Sequence, residues 1–466
     1  MATTTISLPE GTEAHRGAVL HFLDDPGNNP EAITGSVEYI EDGLLCVHDG
    51  KVLALGKAAE LLPQLPDGTK LTDWNGSLIM PGFIDTHVHM PQLPVMASYG
   101  TQLLDWLENY TFPHESRFQD ADWARTQAEQ FTQLLLAHGT TSGLIFCTSH
   151  RASVDALFEA AERQGMAMTA GKVLMDRHAP DTLTDTARSG YEDSLALLDK
   201  WHHRGRQRYA ITPRFAPTSS PEQLALAGQL ASAHPDVLVQ THWAENTGEI
   251  AWTRELFPDR TSYLDVYDHY GLLGTHTVLA HGIHIDERDR QRLTETGSRI
   301  AFCPTSNTFL GSGLFDLAGA RSAGVMVGLA SDVGGGSSLS MLATMAEAYK
   351  VCRLRGQTLT PWQAFYLATL GNARVLHREQ ELGNFRPGQQ ADFIVLDHRA
   401  SPLLAMKEPY SRTLLETLFD LMILGDDRAI AATATGGILR YRRATASLGE
   451  SLTDSAHTAA AGQQGT

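Results

Sequence analysis

Cysteine is scarce and scattered in this chain of 466 residues. The sequence contains four cysteines, with no C-x-x-C pair and no dense cluster: Cys46, Cys147, Cys303 and Cys352. This spacing excludes the disulfide framework of a small secreted domain and a C-x-x-C redox motif. We therefore expect free thiols in a reducing compartment and a cytoplasmic protein.

Positive charge and long apolar runs are also in short supply. Lys+Arg number 36 against 54 Asp+Glu, which gives a formal net charge of −18. Such a chain repels phosphates and anionic lipids, so we expect neither nucleic acid nor membrane as a partner. No run of about 18 apolar residues occurs, and the start MATTTISLPEGTEAHRG lacks the basic and apolar regions of an export signal. The remaining class of ligand is a neutral or cationic small molecule.

What the sequence does contain is a regular alternation of short apolar runs and helix-like segments from about residue 81 onward. Eight such runs recur: GFIDTHVH, TTSGLIFCT, MAMTAGKVLM, RYAITPRFAPT, DVLVQTHWAEN, HTVLAHGIHI, RIAFCPTSN and VMVGLASDV. Eight strands that alternate with helices predict a (β/α)8 TIM-type barrel of the α/β class. Between the strands, DADWARTQAEQFTQLLLAHG has apolar residues at three-to-four spacing and predicts an amphipathic helix.

The segments on either side of the barrel are predicted to be rich in strands. Before it, GLLCVHDGKVLALG places Asp49 and Gly50 between two apolar runs, as in a hairpin turn. After it, NFRPGQQADFIVLD and AIAATATGGILRYRR again resemble strands. We expect both segments to build one small β-sandwich into which the barrel is inserted. The predicted division is 1–80 and 381–444 for the sandwich, 81–380 for the barrel and 445–466 for a disordered tail.

Polar side chains gather where the predicted barrel strands end, which is where such barrels carry their active sites. They are His87 and His89 (strand 1), Arg214 and Phe215 (strand 4), His242 and Glu245 (strand 5), His281 (strand 6) and Asp332 (strand 8). Because residues i and i+2 share one face of a strand, His87 and His89 can point into one site. Taken alone, the pair could equally be two ordinary polar barrel residues.

The remaining strand ends favour a metal site. His87, His89, His242 and Asp332 supply three imidazoles and one carboxylate from three strands. This donor set suits Zn2+ and leaves one position for water, as in catalytic zinc sites.

Four motifs in order resemble the amidohydrolase superfamily of metal-dependent barrels: PGFIDTHVH, THWAEN, LAHGIH and ASDVGGG. The resemblance implies that His87, His89, His242 and Asp332 bind the metal and that His281 binds metal or holds the attacking water. Binuclear members carry a bridging lysine at the end of strand 4, where this sequence reads ITPRF, so one metal is expected. Lys172, on the predicted third strand, is expected to be structural or to face the substrate.

Further stretches resemble the guanine deaminase family: HVHMPQ, TPRF, FCPTSNTFLGSG, SDVGGGSSLS and LLDWLENYTFPHESRF. The resemblance implies that Gln92 and Arg214 hydrogen-bond a purine edge, that Phe215 packs against the base, and that Glu245 of the H-x-x-E motif transfers protons. An amide, a guanidinium and an aromatic ring are suited to those contacts. Less specific roles are also open: Arg214 could pair with a helix carboxylate, Phe215 could belong to the core, and Glu245 could be a solvated loop residue.

The resemblance therefore implies zinc-dependent hydrolysis of guanine to xanthine and ammonia, in purine catabolism or salvage. Glu245, His281 and Asp332 are the expected catalytic residues, with one Zn2+ per subunit, Fe2+ as a second candidate ion, and a homodimer as the expected assembly. Two further functions stay open. One is a hydrolase for another amino- or chloro-substituted heterocycle, such as 8-oxoguanine, a pterin or a triazine, and the second is a non-enzymatic scaffold. The length and aromatic content of the loop from Met90 to Asp120 are those of a lid.

Overall fold

A computed structural model describes residues 8–99 and 103–444; the tail predicted at 445–466 lies outside the described residues. Two sheets organise this part of the chain. The strands are β1 (Glu13–Phe22), β2 (Val37–His48), β3 (Lys51–Lys57), β4 (Lys70–Pro81), β5 (Phe83–His89), β6 (Thr140–Phe146), β7 (Ala167–Gly171), β8 (Val173–Leu174), β9 (Arg208–Pro213), β10 (Leu238–Trp243), β11 (Thr277–His281), β12 (Arg299–Phe302), β13 (Val327–Leu329), β14 (Phe393–Leu396), β15 (Ile430–Thr435) and β16 (Ile438–Arg442).

The first sheet joins the two ends of the chain. Its seven strands run in the order β16-β15-β14-β4-β1-β2-β3; β1 and β4 are parallel, and the remaining neighbours are antiparallel. The predicted hairpin turn between β2 and β3 is present, with Asp49 at φ 49° and Gly50 at φ 76°. Because β4 pairs with β14, the terminal segments close around the inserted barrel. The domain boundaries near residues 80 and 380 stay predictions.

The second sheet is a nearly closed parallel barrel, which confirms the predicted fold class. Strands β5 to β13 follow one another in chain order, with β7 and β8 together forming the third of eight barrel strands. The backbone N–H of Asp332 donates to the His87 carbonyl at 2.9 Å, and that of His89 donates to the Val333 carbonyl at 2.7 Å, which ties the last strand to the first. The barrel is thereby held closed at the positions predicted to bind metal.

Side chains fill the lower part of the barrel interior. One cluster takes a buried residue from each strand or its immediate end: Ile84, Leu144, Ala167, Ala210, Leu238, Val278, Ala301 and Ala330. Branched apolar residues and alanines together fill this layer, so the barrel has a packed floor. The polar residues at the strand ends therefore lie above a dry apolar layer.

Helices cover the outside of the barrel. The α-helices are α1 (Ala58–Leu61), α2 (Leu103–Trp106), α3 (Phe112–Glu115), α4 (Ala121–Ala137), α5 (Arg151–Gln164), α6 (Ala187–Trp201), α7 (Pro221–Ala233), α8 (Thr247–Leu256), α9 (Tyr263–His269), α10 (Glu287–Thr296), α11 (Pro304–Phe309), α12 (Leu317–Ser322), α13 (Met341–Leu354), α14 (Pro361–Tyr366), α15 (Asn372–Val375), α16 (Pro402–Lys407) and α17 (Leu414–Leu424). None of them has both the length and the apolar character that a membrane crossing needs.

Helix α4 is the amphipathic helix predicted from its spacing. Its N-cap is Asp120, whose side chain accepts hydrogen bonds from the backbone N–H groups of Asp122 and Trp123. Its buried face includes Phe131 and Leu135. Just before it, α2, a π-helical turn (Leu107–Thr111), α3 and a 3-10 turn (Ser116–Gln119) form a continuous helical segment, which we call the 103–119 segment.

Candidate active site

The two histidines of strand β5 lie side by side at the barrel mouth. Every residue of this strand is buried, and His87 and His89 point the same way, with their Nε2 atoms 3.2 Å apart. Residues two apart on a strand share a face, which is why the H-x-H spacing produces this pair.

Two more strands complete the cluster. The Nε2 atom of His242 lies 3.1 Å from that of His89, and Oδ1 of Asp332 lies 3.2 Å from His87 Nε2 and 3.4 Å from His89 Nε2. The ligand atoms of these four residues all lie within 4.8 Å of one another. The structure thus brings together the four residues predicted from the sequence.

The chemistry of this cluster fits a divalent metal ion. Burial lowers the pKa of His87, and it lowers the pKa values of His89 and His242 by a larger amount. These imidazoles are therefore neutral near pH 7. Burial alone would raise the pKa of Asp332, but His87 and His281 lower it, so the carboxylate is charged. Three neutral imidazoles and a carboxylate converging on one point form the donor set that Zn2+ accepts.

Left-handed backbone conformations aim several of these side chains. Ala244 (φ 50°), His281 (φ 75°) and Asp332 (φ 49°) occupy the region that side-chain-bearing residues rarely adopt. The bend at Ala244 turns the chain so that both His242 and Glu245 reach the same cavity. The H-x-x-E spacing therefore serves the site through a strained turn, and strain of this kind concentrates at functional sites.

Glu245 is buried beside His281. Its Oε2 lies 3.3 Å from His281 Nε2, and its Oε1 accepts a hydrogen bond from the Ser312 hydroxyl at 3.1 Å. Burial raises the pKa of Glu245 to about 7. A carboxyl group with this pKa can both accept and release a proton at neutral pH. Glu245 is therefore not a solvated loop residue.

Asn307 orients the His281 ring through a hydrogen bond to Nδ1, the ring nitrogen that faces away from Glu245. The amide oxygen of Asn307 accepts from this Nδ1 at 2.9 Å, which leaves Nε2 facing Glu245 and, at 3.7 Å, Oδ2 of Asp332. Burial alone would lower the pKa of His281, but these two carboxylates raise it. Among the described residues, His281 Nε2 has no hydrogen-bond partner within the protein.

A cavity opens above these groups. Its lining combines the site residues with apolar side chains: His89, Gln92, Leu103, Trp106, Leu107, Arg214, Phe215, His242, Glu245, Glu249, His281, Ser306, Leu310, Asp332 and Gly335. The three predicted substrate contacts, Gln92, Arg214 and Phe215, are all in this wall. A cavity with several apolar side chains and a few polar groups in its wall suits a small flat ligand.

Arg214 lines the cavity and also pairs with a helix carboxylate, which was the alternative role expected for it. Its Nη1 donates to Oε2 of Glu115 at 2.7 Å, and its Nη2 donates to Oε1 at 3.2 Å. Sequence reasoning missed Glu115, and it also missed Ser312 and Asn307. All three lie within stretches that carry the family resemblance. The available signal for Glu115 was an acidic residue at the end of the aromatic-containing stretch LLDWLENYTFPHE.

Lys172 lies between β7 and β8 and serves a structural ion pair. Its Nζ donates to Asp185, whose second carboxylate oxygen accepts from Gln223 Nε2 at 2.9 Å. The lysine side chain is 1% exposed.

The family follows from comparison with known proteins. A model of the amidohydrolase family matches residues 78–439, so the chain belongs to the amidohydrolase family. This confirms the resemblance inferred from the four motifs, and the family is one of metal-dependent hydrolases.

Several of the similar proteins are named guanine deaminase. Guanine deaminase of Escherichia coli (strain K12) is 50% identical over 416 residues, which cover 89% of this chain and 95% of the relative. A solved structure of E. coli guanine deaminase superposes with a TM-score of 0.90 at 49% identity, covering 93% of this chain and 100% of that one. The guanine deaminase from C. acetobutylicum, solved with guanine bound in its active site, superposes with a TM-score of 0.81 at 29% identity, covering 92% and 99%.

Proposed function

We propose that this protein is a hydrolytic deaminase that converts guanine to xanthine and ammonia. The observation that carries the proposal is the position of Glu245. Its Oε2 lies 3.3 Å from His281 Nε2, beside the His/Asp cluster in the cavity at the barrel mouth. Similarity to several proteins named guanine deaminase supports guanine as the substrate.

We propose that the metal is Zn2+, one ion per subunit, held by His87, His89, His242 and Asp332. Imidazole nitrogens with one carboxylate favour zinc over the hard ions Mg2+ and Ca2+, and Fe2+ is the second candidate. When bound, such an ion acts as a Lewis acid and lowers the pKa of a water molecule towards neutrality. Asp332 has a lowered pKa, so it is a weaker base than Glu245 and serves mainly as a charged ligand.

The wall of the cavity would hold the purine. The Gln92 amide offers a donor and an acceptor, the Arg214 guanidinium suits a ring carbonyl, and the Phe215 ring suits the face of a heterocycle. Phe215 is 5% exposed and contacts Trp252 edge-on, with ring centroids 6.1 Å apart, which fixes its orientation. Guanine would lie with its amino-bearing carbon towards Glu245.

Glu245 would move the protons. As the oxygen of water adds to the carbon that bears the amino group, Glu245 accepts a proton and passes it to the neighbouring ring nitrogen. A second proton from the added hydroxyl passes to the amino group, the C–N bond breaks, and ammonia leaves a ring carbonyl behind. His281, held by Asn307, stabilises the oxygen during addition.

The experiment that tests this function is ammonia release by zinc-loaded protein. Guanine is compared with adenine, cytosine, 8-oxoguanine, a pterin and an aminotriazine. Release from guanine with xanthine as product supports the proposal. Release from a different compound instead keeps the deaminase chemistry and overturns the substrate.

A non-enzymatic scaffold is disfavoured by the complete donor set at the barrel mouth. It would be indicated by purified protein that neither retains metal nor acts on any compound of the panel. The homodimer and the cytoplasmic location stay predictions, which light scattering and cell fractionation can check.

A further inference from the structure

We infer that Glu115 is the positioning residue for substrate recognition, because its carboxylate holds the two side chains predicted to hydrogen-bond the purine edge, Gln92 and Arg214. The inference rests on the proposed function and deepens it. Oε1 of Glu115 accepts from Gln92 Nε2 at 3.0 Å and from Arg214 Nη2 at 3.2 Å, while Oε2 accepts from Arg214 Nη1 at 2.7 Å. One carboxylate thus joins the end of strand β5 to the end of strand β9.

Glu115 acts through these residues and not on the ligand. In the part of the chain that the structure describes, the cavity wall includes Gln92 and Arg214 but not Glu115. The side chains of Glu115 and Arg214 are 1% and 3% exposed, so neither charge is satisfied by bulk water. A buried bidentate pair of this kind fixes geometry because the planar guanidinium can face the carboxylate in few ways.

The pairing leaves Arg214 able to serve a ligand. A guanidinium carries five N–H donors, and Glu115 uses two of them. The ring of Phe112, three residues before Glu115, lies 5.2 Å from the guanidinium carbon. The 103–119 segment therefore supplies both an anion and an aromatic face to Arg214, which restricts where its remaining donors can point.

Glu115 also fixes the amide of Gln92. The Gln92 Nε2 donates to Glu115, and its Oε1 accepts from the backbone N–H of Gly334 at 3.3 Å. Reversing the amide would place its oxygen against the carboxylate and its NH2 against that N–H. The second hydrogen of Gln92 Nε2 faces His89 Nδ1, with the two nitrogens 3.1 Å apart. Glu115 and these two partners therefore fix which way the amide presents its oxygen to a purine edge.

There is an electrostatic reason for an anion at this position. Arg214 lies next to the predicted metal ligands, since its backbone carbonyl accepts a hydrogen bond from His242 Nδ1 at 2.7 Å. A bare cation there would repel a divalent metal ion. Glu115 neutralises it, so a guanidinium can stand beside a metal centre and still present N–H donors.

The test compares Glu115→Gln, which keeps size and removes charge, with Glu115→Asp, which keeps charge and shortens the side chain. Glu108→Gln, an exposed glutamate of the same 103–119 segment, is the matched control. Each protein is assayed at saturating zinc for kcat and KM with guanine and for inhibition by xanthine. Xanthine retains the ring carbonyl and reports binding without chemistry.

We expect Glu115→Gln to lower kcat/KM by about 10- to 100-fold, the cost of a base misplaced by roughly an ångström. The larger share should fall on KM, xanthine inhibition should weaken in parallel, and zinc content should stay at the wild-type level. Glu115→Asp should recover part of the loss, and the Glu108→Gln control should match the wild type. In an Arg214→Gln background, Glu115→Gln should add less than about threefold, since the group it positions is gone.

Three results would overturn the inference. They are wild-type KM and xanthine inhibition in both Glu115 variants, a loss confined to kcat, and an equal loss whether or not Arg214 is present. If Glu115→Gln does not fold, Glu115→Asp decides alone. Failure of the proposed function is distinct, because the wild type would then release no ammonia from guanine, and the same variants would be compared on whichever panel compound it does use.

Discussion

Replacing Glu245 by Gln should remove most of the turnover while leaving the site intact. The new amide keeps the oxygen that accepts from Ser312 at 3.1 Å, and its NH2 can donate to His281 Nε2, which lies 3.3 Å away. No buried polar group loses its partner. General acid–base catalysis contributes about 10²- to 10⁴-fold, so kcat should fall by that factor, or about 3 to 5 kcal/mol in barrier height.

The same substitution has a predicted sign for stability. Burial raises the pKa of the Glu245 carboxyl from 4.5 to about 7, a shift that corresponds to about 3 kcal/mol. Because the folded-state pKa is raised, the charged form costs stability above pH 7, and this cost is relieved as pH falls towards 4.5. The metal-free Gln variant should therefore be no less stable than the wild type at about pH 8.

The assay combines ammonia release, metal analysis and thermal unfolding of the variant and the wild type. Glu255→Gln, an exposed glutamate on helix α8, serves as the matched control and should behave as the wild type. Full activity of Glu245→Gln would refute the role of this carboxylate. Loss of activity together with loss of metal or of folding would instead make Glu245 a structural residue.

Further predictions concern pH, metal and a buried ion pair. Because Glu245 must be ionised to accept a proton, wild-type kcat/KM should rise with pH through about 7. Ser312→Ala should move this rise to higher pH, since the Ser312 hydrogen bond lowers the pKa of the Glu245 carboxyl. A pH–rate profile of each protein checks both predictions, and a profile that Ser312→Ala does not move would contradict the assignment. Chelation should abolish activity and added Zn2+ should restore it, with one metal ion per chain by elemental analysis; activity that survives complete metal removal would disprove the metal site. Lys172→Met should destabilise the fold by about 3 to 5 kcal/mol in urea unfolding because Asp185 is left buried without its partner, and the double change Lys172→Met with Asp185→Leu should recover most of that loss.

Much of the fold could be predicted from local patterns. Each barrel strand is a short apolar run with its own turn signals, and α4 has an N-cap and an apolar face that are readable without tertiary contacts. The H-x-H spacing of His87 and His89 implies a shared face because a strand has a period of two. Those features depend on backbone geometry within a few residues, and such geometry is encoded locally.

The details of the site depend on the closed barrel. Ala244, His281 and Asp332 adopt left-handed conformations that their side chains do not favour, and only the surrounding packing holds them there. The spacing of H-x-x-E showed that His242 and Glu245 are near each other, but the bend at Ala244 decides that both face the cavity. The raised pKa of Glu245 likewise follows from burial, which requires the whole barrel mouth.

The sequence by itself determined which donor atoms exist and on which strands they lie, since the motifs place a histidine pair, a third histidine and an aspartate at the ends of barrel strands 1, 5 and 8. Only the tertiary structure decided which charges neutralise one another. Arg214 pairs with Glu115 across 99 positions of the chain, and Lys172 pairs with Asp185. The physical reason is desolvation: a buried charge is unfavourable unless a counter-ion lies beside it. The fold decides which counter-ion is near, and the spacing of the two residues in the sequence does not indicate it.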